Sequence, residues 1–486
     1  MSLSGPATGS YTTSPAVGSS MRLHWHRQDL RVADNRPLAA ADEEAVLPVF
    51  VFDDEVLRYA SPPRVAYLLD ALDALREAYR GLGGDLYLTD GDPSAVLPDL
   101  AAEVGAETVS YAEDYSGLAQ ERDRAVTAAL VDDGIAVEGY HDALLHEPGS
   151  ITTNAGDPYS VYSYFWKKWR DREKADPYGL PTDVVDRAGD TLPTLADLGF
   201  DAPEADVEPA GTAVARDRLD AFCDGAIYEY ADRRDYPADD CTSRLSAPLR
   251  WGTIGVRAVY AATEDAMAAA PDDDARESVE EFQSQLAWRE FYHHVLQFTP
   301  SVVTENYKEY PEPIEWRNDP AELTAWRRGE TGYPIVDAGM RQLLAEARMH
   351  NRARMIVASF LTKDLLTDWR HGYAHFREHL VDHDTANDTG GWQWAASTGT
   401  DAQPYFRIFN PTTQGERYDP DAEYVREYVP ELRDANADEI HAWPDLSTVE
   451  REAAAPDYPA PIVDHADRRE QALAMFKRAR GEEPEE

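Results

Sequence analysis

DHDTANDTGGWQWAASTGTDAQPYFRIFN, residues 382–410, brings two acids (Asp382, Asp384), a glycine pair (Gly390, Gly391), two indoles (Trp392, Trp394) and Arg407 into one segment that reads as turn-rich. Adjacent glycines remove two Cβ atoms, so the backbone there can turn sharply or lie flat against a partner. Trp392 and Trp394 flank Gln393: in an extended chain they share a face, and in a helix they diverge. Taken alone, the two tryptophans are equally at home in a core loop.

Upstream, TGYPIVDAGMRQLLAEARMHNRARMIVASFLTKDLLTDW (331–369) concentrates Arg348, Arg352 and Arg354, as a binding surface or a solvated helix face would. FQSQLAWREFYHHV (282–295), read as a helix, puts Gln285, Trp288 and Arg289 within one turn. An amide and an indole on one face suit an extruded base, although a core tryptophan has the same signature. YADRRDYPADDCTSRLSAPLRWGTIG (230–255) sets Thr242, Ser243 and Ser246 at a predicted helix start, a chemically suitable phosphate cradle or an ordinary N-cap. His371, His375 and His379 repeat at helical spacing, with His383 following. No carboxylate motif completes them as a metal site, and they read as a polar helix face.

Towards the N-terminus the pattern changes. Residues 22–26, 46–52, 85–89, 108–112 and 135–140 read as buried strands, with helical spacing over 65–82, 93–104 and 118–131. This alternation predicts an α/β domain with a Rossmann-like open parallel sheet over 21–147. HRQDLRVADN (26–35) follows the first strand, where such folds place ligand contacts, but there is no GxGxxG. A polar connection is expected over 148–210 and a large all-helical domain over 211–480. Residues 1–20 read as a flexible extension rather than a signal peptide, and 481–486 as an acidic tail after a final helix.

The 486-residue chain has room for two or three domains. Its 91 acidic against 46 basic residues give a net charge of −45, and only six of the bases are lysine. Acids spread along a chain that is 43% hydrophobic point to a folded protein in a salt-loaded, halophilic cytoplasm rather than to disorder. The balance opposes nucleic-acid binding overall, although a local basic face suffices. Two cysteines fit a reducing compartment, and no apolar run approaches membrane-spanning length.

Gly390–Leu432 closely resembles the flavin-binding segment of the DNA photolyase/cryptochrome family, specifically its class I cyclobutane pyrimidine dimer photolyases of haloarchaeal type. HRQDLRVADN is similar to the family's N-terminal signature, and TSRLS to its pyrophosphate loop. The resemblance implies an FAD-binding helical domain, with Tyr230, Thr242, Ser243, Leu245, Ser246, Arg354, Asp382, Asp384 and Asp388 at the cofactor and Arg354 paired to Asp382. It implies Gln285, Trp288, Asn351, Arg352, Met355 and Trp394 at the lesion, and Trp316, Trp369 and Trp392 as an electron-transfer chain. Gln285 stands where dimer photolyases usually carry Glu. Asp388 stands where they usually carry Asn beside flavin N5, a site at which Asp is better known from plant cryptochromes; Asn387 next door leaves room for a register shift. Residues at 351 and 355 other than His favour the cyclobutane dimer over the (6-4) photoproduct.

The implied activity is light-driven repair of UV-damaged DNA by excited reduced FAD, with a blue-light-sensing cryptochrome as the alternative. A second antenna chromophore is expected in the α/β domain, a deazaflavin rather than methenyltetrahydrofolate. The expected form is a cytoplasmic monomer, nucleoid-associated on DNA, with no membrane and no metal.

Overall fold

A computed structural model describes residues 20–42 and 44–482. Apart from Ser20, Gly481 and Glu482, the expected extension and acidic tail lie outside them. The five apolar runs form strands β1 (Met21–His26), β2 (Ala45–Phe52), β3 (Tyr87–Asp90), β4 (Thr108–Ala112) and β5 (Ala136–Tyr140). They pair in parallel in the order β3-β2-β1-β4-β5. All eight residues of β2 are buried, as an inner strand covered on both faces requires, whereas β5 at the edge is half-exposed. The helices Pro62–Gly81, Pro93–Val104 and Gly117–Asp132 supply the crossovers. The chain leaves β1 towards β2 while β4 lies on the other side. Strand order therefore reverses at β1, and a crevice opens at the carboxyl ends of β1 and β4.

HRQDLRVADN, expected at a ligand, divides in two: His26, Arg27 and Gln28 line that crevice, and the residues from Asp29 onward are a weld. Asp29 accepts from Asn35 Nδ2 at 2.9 Å and lies 2.9 Å from His24 Nε2, and Arg31 pairs with Asp142. Arg257, on the helix Val256–Ala269, reaches Asp34 Oδ1 at 2.6 Å and Asp142 Oδ1 at 2.5 Å. These residues are buried, so the ion pairs lock the α/β layer to the helical half. Gly252, at φ +64, has no room for a Cβ, which would lie 2.1 Å from the Gln28 carbonyl.

After β5 the chain runs through an irregular connection holding the helix Tyr162–Asp171, and from Thr212 to Ala479 it is helical. The longest helix, Asp273–Phe298, buries residues along its length and packs beside Thr385–Ala396. The main core draws on Pro334–Glu346, Asn351–Ser359, Trp369–His379 and Thr385–Ala396. No described helix is long and apolar enough to cross a membrane.

Candidate functional site

The segment read as turn-rich is, over Thr385–Ala396, a continuous helix. Asp384 caps it, accepting from Asn387 N at 2.8 Å, and the helix ends at Ser397 in the left-handed region. Helical geometry makes the indoles diverge: Trp392 goes into the core and Trp394 to a rim. Gly390 lies flat on Tyr292, where a Cβ would come within 2.1 Å of the ring, while Gly391 faces open space.

That open space is a cavity of about 510 Å³. Tyr230, Thr242, Ser243, Leu245, Ser246, Arg354, Asp382, Asp384 and Asp388 all line it, as do Gln285, Trp288, Asn351, Arg352, Met355, Trp392 and Trp394. Trp316 and Trp369 do not. In the loop before the helix Ser246–Trp251, Arg244 has φ +51 and Leu245 φ −96, ψ 5. Such an alternation turns successive N–H groups to one side, an anion-binding shape. Arg354 Nη2 grips Asp382 at 2.8 and 3.0 Å, the expected pair. Burial pushes the Asp384 carboxyl up, but His293, Arg250 and Arg289 outweigh it and hold it well below the usual range. Asn387 gives its amide to Asp384 at 2.8 Å, and Asp388 meets His383 Nδ1 at 2.5 Å. The helix is unbroken here, and both residues line the cavity.

On the rim, Trp288 stacks on Tyr162 with centroids 3.7 Å apart at 10°, so one indole face is already covered. Gln285 bonds its amide back to Glu281 Oε1 at 3.0 Å. The three arginines read as a possible basic face each hold an acid: Arg348 with Glu346, Arg352 with Asp235, Arg354 with Asp382. Arg352, Met355 and Trp394 also border a second, open hollow of about 530 Å³ with Arg407, Asn410 and Arg417.

Trp392 touches the helix carrying Trp369 so closely that a Cβ on Gly372 would lie 2.0 Å from its ring. Trp369 is buried and donates Nε1 to Asn306 at 2.9 Å, while Trp316 is half-buried against Phe476. Trp326, unnoticed in the sequence, meets Trp392 edge-on at 6.0 Å. His375 and His383 depart from a polar helix face: both are buried, His375 against Trp326 and His383 on Asp388. His375, His379 and Glu378 bring their ligand atoms within 4.8 Å of one another, as do His24, His26 and Asp29.

A further cavity, of about 480 Å³, occupies the crevice at the sheet switch point. Phe50, Phe52 and Tyr115 give it apolar walls, and Arg64, Tyr373, Arg377 and His383 close it from other elements. Burial, then Arg250 and Arg377, pushes the Arg64 guanidinium down to about 10. His26, Arg27 and Gln28, at the end of the first strand and just after it, line it too, at the position where the sequence pattern placed ligand contacts.

The first cavity suits a large cofactor that is aromatic at one end and anionic at the other. Its wall carries buried polar atoms without a protein partner, Trp392 Nε1 and Arg250 Nη1, beside the turned 242–246 loop. Fold and site together define a two-layered protein that holds a dinucleotide-sized cofactor in its helical half. Residues 282–478 match the profile of the FAD binding domain of DNA photolyase, and residues 22–182 that of DNA photolyase. A deoxyribodipyrimidine photo-lyase of Halobacterium salinarum is 62% identical over 482 residues, covering 95% of this chain and 100% of that one. A class III photolyase crystal structure from Agrobacterium tumefaciens superposes with TM-score 0.88 at 37% identity, over 97% and 100% of the two chains. A Synechocystis cryptochrome gives 0.86 at 27%, over 94% and 99%. The chain belongs to the DNA photolyase family.

Proposed function

We propose that the protein repairs cyclobutane pyrimidine dimers in DNA by light. The observation that carries this is convergence: residues assigned separately to a flavin and to a lesion, scattered from Tyr230 to Trp394, line one cavity. FAD held there supplies the chemistry, an electron lent to the dimer from its excited reduced form and then recovered. The 242–246 loop and Ser246 hold the pyrophosphate, while Arg354, clamped by Asp382, and Asp384 hold the ring edge. The free face of Trp288 and the rim indole Trp394 receive the flipped dimer, with Gln285, Asn351 and Met355 around it. Arg352, Arg407 and Arg417 of the adjoining hollow meet the DNA backbone. Trp392, Trp369 and Trp316 lead from the cavity wall through the core to the surface, a path for electrons that reduce the cofactor. The crevice cavity takes a second chromophore, a deazaflavin, and the protein acts as a monomer.

The test is thymine-dimer DNA under near-UV or blue light in molar salt. Light-dependent restoration of monomeric thymines is expected. Flavin photoreduction without reversal would overturn repair in favour of a light sensor.

A further inference from the structure

The helix Trp369–His379 ends in HFREH, residues 375–379, two imidazoles one helical turn apart with a carboxylate between them. Glu378 supplies the carboxylate missing from the run of histidines alone, and the ligand atoms of His375, Glu378 and His379 lie within 4.8 Å of one another. We propose that these three side chains form a binding site for a zinc-class divalent cation, independent of the flavin reading above.

The hydrogen bonds leave the right atoms free. His379 Nδ1 lies 3.0 Å from the His375 carbonyl. A carbonyl oxygen only accepts, so Nδ1 carries the hydrogen and Nε2 keeps its lone pair. Metal-bound imidazoles are oriented in this way, the far nitrogen donating to a backbone carbonyl. His375 is 5% exposed, and its Nε2 is buried with no hydrogen-bond partner among the described residues. An orphaned ring nitrogen in a core is costly, and a metal bond relieves that cost. Burial, then His379 and Arg327, pushes the His375 imidazole down to about 3, so it stays neutral and offers a lone pair rather than a proton. The cluster of His24, His26 and Asp29 differs, because its atoms already serve one another. His24 Nε2 meets Asp29 at 2.9 Å and His26 Nε2 the Tyr79 hydroxyl at 2.6 Å.

Two imidazoles and a carboxylate, with water in the fourth place, are a donor set for zinc, whereas magnesium and calcium prefer oxygen alone. The carboxyl end of a helix and a chain of charge −45 both draw cations, which offsets the opposing charge of Arg327. Glu378 is exposed and His379 partly so, leaving a way in from solvent. None of the three lines the first cavity or the crevice cavity, and His375 packs on Trp326 with centroids 5.5 Å apart. The ion therefore fastens the last turn of this helix to the core rather than taking part in chemistry.

The test uses the full chain without an affinity tag, stripped with chelator and returned to molar salt with excess magnesium to occupy surface carboxylates. Zinc is then titrated into the unaltered protein, His379→Ala and Glu378→Gln by calorimetry. One magnesium-resistant zinc ion per chain is expected, bound about a hundredfold more weakly in His379→Ala and about tenfold more weakly in Glu378→Gln. Zinc should also raise the melting temperature of the unaltered chain and leave that of His379→Ala where it was. Melting in chelator reports that both variants fold, and Glu378→Gln alters only an exposed carboxylate. Absence of a magnesium-resistant ion, or an affinity unchanged in either variant, would overturn the site.

Discussion

Trp288 can offer a base only one face, because Tyr162 covers the other at 3.7 Å. Replacing it with Ala should weaken binding to dimer-containing DNA by about 1–3 kcal/mol, measured by fluorescence anisotropy, with undamaged DNA bound as before. Trp316 packs in a different cluster from Trp288, half-buried against Phe476. Trp316→Phe should slow photoreduction of oxidised flavin while sparing repair by protein reduced beforehand, and equal loss of both would remove it from the chain. At this scale the family register was legible: it paired Arg354 with Asp382 across 28 positions, as the geometry does. Two other contacts were not. Trp326 comes from the separate helix Pro320–Arg328, and nothing in its neighbourhood points at Trp392. His383 reaches Asp388 across a helix cap, a spacing with no periodicity to betray it.

The two glycines of neighbouring helices make opposite demands. Gly372 is pressed against Trp392, so Gly372→Ala should overpack the contact and cost about 1–3 kcal/mol of stability, read from chemical denaturation. Gly391 has no atom within 4 Å of a would-be Cβ and sits in a helix interior. Gly391→Ala should therefore stabilise the flavin-free protein by about 0.5–1 kcal/mol yet lower its FAD content, since the new methyl enters the cavity. The five strands were readable because continuous apolar runs in a doubly covered sheet leave little ambiguity. The 385–396 helix was not. Thr, Asn, Asp and a glycine pair have poor helix propensity, and tertiary contact with Tyr292 and the core overrides it.

Across the whole molecule, a charge of −45 opposes compaction until salt screens it. Raising salt from about 0.1 to 1 M shortens the screening length from about 10 to 3 Å, and the melting temperature should climb steadily over that range. Acid acts through buried groups. Burial pushes His24, His146 and His350 down to about 4, and His294 and His375 to about 3. The unfolded chain protonates these near 6.5 and the fold refuses, so they withdraw stability as pH falls from about 6.5 towards 4. Burial pushes Glu290 up to about 7 and Asp337 and Asp364 to about 6, which acts in the opposite direction. Burial pushes Glu208 and Asp419 up as well, so five imidazoles face five carboxyls. Replacing one imidazole, as in His375→Phe, should lessen the loss of melting temperature between about pH 6.5 and 4.5 relative to the unaltered protein at fixed salt, and an unchanged pH profile would contradict its share.

The crevice cavity has a mechanical consequence. Its floor belongs to the sheet and its lid, through Tyr373 and Arg377, to the helices, so an occupant is clasped by two jaws that Arg257 already pins shut. Prising the jaws apart would expel it, and a tenant that prefers the closed grip makes that opening costlier as its concentration rises. Release of a pigment from the crevice should thus report when the halves part, ahead of any melting within either.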